Sequence, residues 1–295
     1  MNSSHRHLKI HFIVNPQSGR AVASLEAVRS FARKHGATVS LTERTRHASD
    51  LTRAALNDSA NLIVAVGGDG TMNEVAGTLV NSGATFGLIP CGSGNGLGRH
   101  LGIHGSIDRA LQLLIAGCPR CIDSGVANGR PFFVVAGLGF EAEIAERFNR
   151  LSQRGFWRYL TTSARAWRQS VPLSCSVNYD RHHEHVRAFT LAVANTDQYG
   201  NNARIAPGAR VDDGLLDLTV VPPVTLLSAV PLLTRLFSGR LAPPAVWRRQ
   251  AAGFVVDGLS AGLVLHTDGE TQPAGERVAF SVQPASLRIM VPAKA

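Results

Sequence analysis

Between Leu62 and Glu74 the chain reads Leu-Ile-Val-Ala-Val-Gly-Gly-Asp-Gly-Thr-Met-Asn-Glu. Its apolar run feeds without interruption into Gly67, Gly68, Asp69, Gly70 and Thr71, and an amphipathic run follows from Asn73 to Val80. An apolar run with no alternation predicts a strand buried on both faces, as in a parallel sheet covered by helices. Strand, glycine turn and helix start, in that order, aim backbone N–H groups at one spot where a phosphate can sit. The acid in the middle is at odds with a bare phosphate site. Asp69 is therefore read as a residue on the magnesium side of a nucleotide. Taken alone, the same stretch is more readily a tight βα turn with an Asp near the helix start.

The flanking sequence repeats the pattern. Leu8–Val14 reads as a strand ending in the turn Asn15-Pro16-Gln17-Ser18-Gly19, and a helix is predicted from about Ala21 to Lys34, with Val22, Leu25, Val28 and Phe31 on one face. Thr38–Leu41 and Thr85–Ile89 read as strands, Ala48–Leu56 as a helix, and Leu111–Ala116 as the end of another that Gly117-Cys118-Pro119 stops. The alternation predicts an α/β domain with an open, mostly parallel, Rossmann-like sheet in three layers. Ligands in such sheets lie beyond the carboxyl ends of the strands, so the turns Asn15–Gly19, Gly67–Thr71 and Pro90–Gly96 are expected to converge. From Arg120 onward the texture changes to short strand-like segments separated by Gly, Asn, Asp and Pro, among them Leu173–Tyr179, Ala188–Ala194, Leu215–Val221 and Gly253–Val256. That predicts a β-rich sandwich. The expected domains are 1–121 and 122–295, with the last strand a candidate to return to the first domain.

Composition narrows the partners. The chain's 295 residues suit two domains, and 30 Lys+Arg against 21 Asp+Glu give a net charge of +9, which favours nucleic acid, anionic lipid surfaces or nucleotide phosphates. Aromatic residues make up only 6% and are not interleaved with basic ones, which argues against single-strand binding. No nucleic-acid partner is expected. Four cysteines, Cys91, Cys118, Cys121 and Cys175, are too few and too irregular for a disulfide framework and suit a reducing cytoplasm. The N-terminus lacks the apolar core of a secretory signal. The apolar stretch Val220 to Leu233 is broken by Pro222, Pro223 and Pro231, so any membrane contact is expected to be peripheral.

Other motifs have plainer readings. Pro90-Cys91-Gly92-Ser93-Gly94-Asn95-Gly96 lets backbone approach a polyanion, with Ser93 and Asn95 as donors and Arg99 as a neutralising charge; beside the Asp69 turn it reads as the second wall of a phosphate pocket. No Gly-Lys-Ser/Thr follows any of these glycines, which excludes a P-loop. Gly137-Leu138-Gly139-Phe140-Glu141-Ala142 fits the dinucleotide spacing but lies in the β-rich half, without the acidic strand end that the fingerprint demands. Cys118-Pro119-Arg120-Cys121 has no second cysteine pair to complete a zinc site and is taken as structural. His182, His183 and His185 are expected to cap a hairpin loop.

Taken together, Gly67–Thr71 with Asn73-Glu74, the Asn15-Pro16 turn and Pro90–Asn95 resemble the catalytic domain of diacylglycerol and sphingosine kinases, particularly the small bacterial members. The similarity continues through Asp123-Ser124-Gly125, Asn128-Gly129, Gly137–Phe140, Pro207-Gly208-Ala209, Asp212-Asp213-Gly214 and Asp268-Gly269-Glu270, in order over essentially the whole chain. The first motif is shared with NAD kinases and phosphofructokinases; the ordered set is specific. The resemblance implies ATP contacts at Thr42, Gly68, Asp69, Gly70, Thr71, Met72, Asn73, Glu74 and Ser93, with Asn15 at the edge and Asn95 beside them. It implies Asp69 acting through Mg²⁺, Glu270 as general base for a lipid hydroxyl, and a structural magnesium site from the Arg210 and Leu215 carbonyls with the Asp213 carboxylate. Asp123 and Glu143 are implied on the metal and substrate side. Ser93 replaces a common Thr and keeps its hydroxyl; Gly96 replaces an acid often found there, whose role is absent.

Phosphoryl transfer by positioning and charge neutralisation fits these residues, with the active site expected in the cleft between domains. Without the resemblance, Asp268-Gly269-Glu270 and Asp212-Asp213-Gly214 are hairpin turns. Two stretches can meet lipid: the basic and apolar run from Arg147 through Arg150, Arg154 and Arg158, and Thr225–Trp247 with its leucines and Arg235 and Arg240. Each reads equally as a helix packed on the sandwich. The expected activity is an ATP- and Mg²⁺-dependent lipid kinase acting on diacylglycerol, a sphingoid base, ceramide or a related alcohol, with a slight lean to the sphingoid type. It is expected to be cytoplasmic and peripherally membrane-associated, with a homodimer as the candidate assembly. The rivals are a soluble-substrate kinase of the NAD-kinase type and a non-catalytic lipid- or nucleotide-binding protein.

Overall fold

The computed structural model describes residues 8–149 and 171–293. The chain divides into two compact units, Met1–Ile122 with Ala285–Ala295, and Asp123–Pro284.

In unit 1, strands β1 (Ile10–Val14), β2 (Thr38–Leu41), β3 (Leu62–Gly67) and β4 (Thr85–Pro90) run parallel in the order β2-β1-β3-β4. The end of the last strand, β16 (Arg277–Val291), adds in parallel beside β4 through Arg288 and Ile289. Every residue of β3 is buried, as its unbroken apolar run requires. Helices α1 (Ala21–His35) and α5 (Ile107–Ala116) pack together over the face carrying Phe12, Val14, Val64 and Val66. Helices α2 (His47–Asn57) and α3 (Asp69–Leu79) pair with each other and lean on β1, β3 and β4, and the short α4 (Gly96–His100) follows β4. Each fully buried aliphatic or aromatic side chain in this core contributes roughly 1.5–3 kcal/mol. α1 stops at Gly36, which takes the left-handed conformation, after a basic last turn of Arg33, Lys34 and His35 that complements the helix dipole. The α/β reading stands, with one adjustment: α3 begins at Asp69 rather than Asn73. Gly68 is extended and caps the helix, so most of the expected turn is the first helical turn, where an acid is favoured.

Unit 2 is antiparallel. One sheet has the order β12 (Trp247–Ala251), β11 (Leu216–Val221), β10 (Thr190–Ala194), β7 (Val135–Gly139), β14 (Val264–Thr267), β15 (Glu270–Pro273). The other runs from the start of β16 through β13 (Gly253–Asp257) and β8 (Leu173–Tyr179) to the edge strand β9 (His182–Ala188). Their inner faces share one core, with Leu138, Leu191, Leu218 and Leu265 from the first sheet and Val177, Phe254, Val256 and Phe280 from the second. Strand β5 (Cys118–Ala127) carries the chain into this unit and pairs there with β6 (Arg130–Phe132). Helix α6 (Phe140–Asn149) follows β7.

The histidines are corrected. His182, His183 and His185 lie on β9 rather than in a loop, because a polar strand is tolerated at a sheet edge where its outer face is solvated. The Gly137–Ala142 motif does open a helix, but β7 is antiparallel to both its neighbours, so no βαβ dinucleotide unit exists there. Helix α7 (Leu226–Ser238) carries Pro231 inside it, and its 13 residues span only about 20 Å. Among the described residues no helix is long and apolar enough to cross a membrane. Of the first lipid-facing stretch, Arg150 through Leu160 lie outside the described residues.

Candidate active site

The strands β1 to β4 each end at a residue implicated by sequence: β1 before Asn15, β2 before Thr42, β3 before Gly68 and β4 before the Cys91–Gly96 loop. The loops meet through backbone. Cys91 N–H donates to the Gly67 carbonyl at 2.7 Å, Arg20 N–H donates to the Cys91 carbonyl at 3.1 Å, and Asn15 N–H donates to the Val66 carbonyl at 3.0 Å. A Cβ on Gly92 would lie 2.7 Å from the Gly68 Cα, so the two glycine turns touch where only glycine fits.

Asp69 ties them. Its Oδ2 accepts the Asn95 N–H at 3.0 Å and its Oδ1 accepts the Gly96 N–H at 3.1 Å. Asn95 closes its own loop, accepting the Gly92 N–H at 3.0 Å and donating Nδ2 to the Gly92 carbonyl at 2.6 Å, and Arg99 Nε donates to the Gly94 carbonyl at 3.0 Å. Burial pushes the Asp69 carboxyl above the usual range, and the backbone N–H groups of Asn95 and Gly96 oppose that rise. A cation is therefore not needed to account for an acid in this turn, since protein donors already hold it. The carboxylate oxygens are hard donors of the kind that Mg²⁺ takes.

The remaining residues of the set divide. Asn15 Nδ2 donates to the buried Thr71 Oγ1 at 3.1 Å, and Thr42 N–H donates to the Val14 carbonyl at 2.9 Å. Ser93 is exposed, Gly70 and Asn73 are half-buried and Met72 is buried beneath them. Glu74 faces α2 instead: its oxygens accept the N–H groups of Arg46 at 3.2 Å and Ala48 at 3.0 Å, satisfying donors at that helix's start.

Unit 2 gathers the acidic turns. Asp123 is buried; its N–H donates to the Val211 carbonyl at 2.6 Å and its Oδ2 accepts the Gly214 N–H at 2.8 Å. Within that 211–214 turn, Asp213 Oδ1 accepts the Leu215 N–H at 3.1 Å, while Arg210 Nε lies 3.5 Å from Asp212 Oδ1. The Asp213 carboxylate and the Arg210 and Leu215 carbonyls are all oxygen donors and fit a hard cation. Asp268 and Gly269, with φ of 50° and 89°, form the two-residue turn between β14 and β15 that the Asp-Gly pair predicts. Asp268 also latches the start of β7, accepting the N–H groups of Phe133, Val134 and Val135 at 2.8, 2.9 and 3.1 Å. Glu270, two residues on, is exposed. Glu143 sits half-buried on α6, and burial raises its carboxyl above the usual range.

Two groups escaped sequence reading. Buried Asn195 donates Nδ2 to the Asp123 carbonyl at 3.0 Å and the Phe133 carbonyl at 3.2 Å, joining the Asp123 turn to the segment that Asp268 latches. Glu141 accepts the Tyr199 hydroxyl and lies 3.4 Å from His266 Nε2. Asn195 carries no local motif; Glu141 stood inside the Gly137–Ala142 stretch, where its only signal was its place directly after Gly139-Phe140.

Residues 9–127 match the family described as the diacylglycerol kinase catalytic domain, and residues 134–291 match the YegS C-terminal NAD kinase beta sandwich-like domain. A Pseudomonas fluorescens protein named "Probable lipid kinase YegS-like" is 30% identical over 258 residues, covering 86% of this chain and 85% of its own. The uncharacterized Synechocystis protein sll0036 is 28% identical over 79% of this chain, which spans 58% of that protein's length. A crystal structure described as a diacylglycerol kinase from Bacillus anthracis shares the fold with a TM-score of 0.73 at 19% identity, over 96% of this chain and 97% of its own. The chain thus belongs to the kinase family in which a diacylglycerol kinase catalytic domain is followed by a YegS-type beta sandwich-like domain.

Proposed function

We propose that this protein transfers the γ-phosphate of ATP to a hydroxyl of a membrane lipid, with Mg²⁺ as cofactor. The observation that carries the reading is the Asp69 carboxylate joining the two glycine loops at the strand ends of unit 1. That arrangement gathers backbone N–H groups and one acid where a nucleotide's phosphates and a metal are bound in other α/β sheets. In this reading the residues from Gly68 to Thr71, with Asn15, Thr42, Ser93 and Asn95, hold the nucleotide. Asp69 holds Mg²⁺, which screens phosphate charge when bound. Asp213 with the Arg210 and Leu215 carbonyls holds a structural ion. Glu270 takes the proton of the acceptor hydroxyl as its oxygen bonds to phosphorus and ADP leaves. Asp123 supports the turn that carries the ion, and Glu143 faces the acceptor's polar head.

Helix α7 supports a peripheral lipid contact. Leu227, Val230, Leu233 and Phe237 are 91%, 68%, 51% and 56% exposed, and residues 222–246 contain Arg235 and Arg240 but no acid. An apolar stripe with a basic flank suits an anionic bilayer. Sedimentation with anionic liposomes is expected to fall as salt rises and to drop in Leu227→Ser/Phe237→Ser; binding indifferent to both would remove this surface from the reading.

Radiolabelled ATP offered with a panel of diacylglycerol, sphingosine, ceramide and NAD tests the activity. Label is expected in a lipid and to be lost in Asp69→Asn and Glu270→Gln. Label in NAD and in no lipid would replace the lipid reading with the soluble-substrate one.

A further inference from the structure

We infer that Glu141 is a positioning residue for the acceptor side, clasping α6, the segment at Tyr199 and the β14–β15 hairpin into one frame; this rests on the reading of Glu270 as the base. Glu141 opens α6, where its N–H donates to Thr190 Oγ1 at 3.3 Å. Its side chain, 13% exposed, folds back over β7: a Cβ on Gly137 would lie 1.7 Å from Oε1. The missing side chain at Gly137 is thus the socket for the carboxylate. Gly137 pairs with His266 on β14, and His266 pairs in turn with Thr271 on β15, one step from the closing pair Thr267–Glu270.

The carboxylate meets two groups in that socket. The Tyr199 hydroxyl donates to Oε2, and His266, whose side chain is 6% exposed, brings Nε2 to 3.4 Å from Oε1. Among the described residues neither nitrogen of the His266 ring has a hydrogen-bond partner. Nε2 is thus the ring nitrogen turned toward the carboxylate, while Nδ1 is buried on the other side of the ring. Without the carboxylate, the Tyr199 hydroxyl would lose this acceptor and the buried imidazole the carboxylate beside it, and the hairpin would lose a contact to α6 on that face. Glu270 is exposed, so its placement follows that of the hairpin. Glu143, two residues further along α6, points in a different direction and is carried by the same helix.

The test uses the full chain, with radiolabelled ATP and either diacylglycerol or sphingosine in mixed micelles, and amide hydrogen exchange over 264–273. Glu141→Ala is expected to lower kcat on the order of tenfold to a hundredfold with the KM for ATP unchanged, and to speed exchange in 264–273 but not in 173–179. Glu141→Gln and Tyr199→Phe are expected to show smaller losses in the same direction, and they decide the matter if the alanine variant does not fold. Unchanged kcat and exchange would overturn the inference. So would a uniform rise in exchange across 123–284 with unchanged kcat per folded molecule, which is the signature of a purely structural contact. Should Glu270→Gln turn over like the wild type, the base reading fails, and local exchange at 264–273 still decides whether Glu141 clasps the hairpin.

Discussion

Two Asp-Gly turns, Asp69-Gly70 in unit 1 and Asp268-Gly269 in unit 2, use the same chemistry for different ends. Each carboxylate accepts backbone N–H groups from a distant segment: Asn95 and Gly96 for Asp69, Phe133, Val134 and Val135 for Asp268. Charged acceptors of this kind hold loops more firmly than neutral ones. The settings differ. Asp69 lies at the start of an 11-residue helix, where first-turn N–H groups have no intrahelical partner and can face an anion. Asp268 lies in a hairpin turn whose product is the placement of an exposed acid, Glu270. An acid in a glycine turn is therefore a latch first, and its surroundings decide what the latch presents.

The comparison breaks most visibly at the acids assigned to chemistry. Glu270→Gln is expected to cost about 10²–10⁴-fold in kcat while stability is retained, measured by turnover alongside thermal melting. Asp69→Asn is expected to lose turnover at least as severely; full activity with lowered stability would make it a latch of the Asp268 type only. Asp268→Ala strands three N–H groups and is expected to destabilise by about 2–4 kcal/mol in urea unfolding. A loss below about 0.5 kcal/mol would show that hairpin to be held by strand pairing alone. Glu74→Ala removes the acceptor for two N–H groups at the start of α2 and should cost about 1 kcal/mol. An unchanged KM for ATP would leave Glu74 a capping residue, whereas a large rise would return it to the nucleotide set.

The smallest effect is at a thiol. Burial pushes Cys175 from 9.0 up to about 11, so it is expected to resist alkylation at mildly alkaline pH while exposed Cys118 and Cys121 react. Because the folded thiol keeps its proton where the unfolded one has lost it, this group's contribution to stability declines as pH rises from 9.0 toward about 11. Rapid alkylation of Cys175 would show that its strand opens readily.

Unit 1 was the more legible. Its central strand β3 is an unbroken apolar run, β1 is nearly so, and α1 carries one apolar face, so periodicity marks Ile10–Val14, Leu62–Gly67 and α1. Unit 2 was harder because its edge strands are polar: β9 reads His-His-Glu-His, which composition assigns to a loop, and only pairing with β8 makes it a strand. Glu74 shows the limit within the site itself. It stands inside the motif, yet its carboxylate turns to Arg46 and Ala48, because i and i+1 on a helix face different directions.

By itself the sequence determined the α/β and β-rich halves, the glycine-rich strand ends and the Asp268-Gly269 hairpin turn, all of which follow from local pattern and backbone sterics. Tertiary structure alone decided which acid meets which backbone: Asp69 reaches across 26 and 27 residues to Asn95 and Gly96, and Asp268 across 133 to 135 residues to the start of β7. It also decided that Asn195 joins Asp123 to Phe133 and that Glu141 meets His266. The reason is physical: a buried carboxylate or amide is stabilised by whatever donors folding brings within about 3 Å, and neither periodicity nor spacing records that.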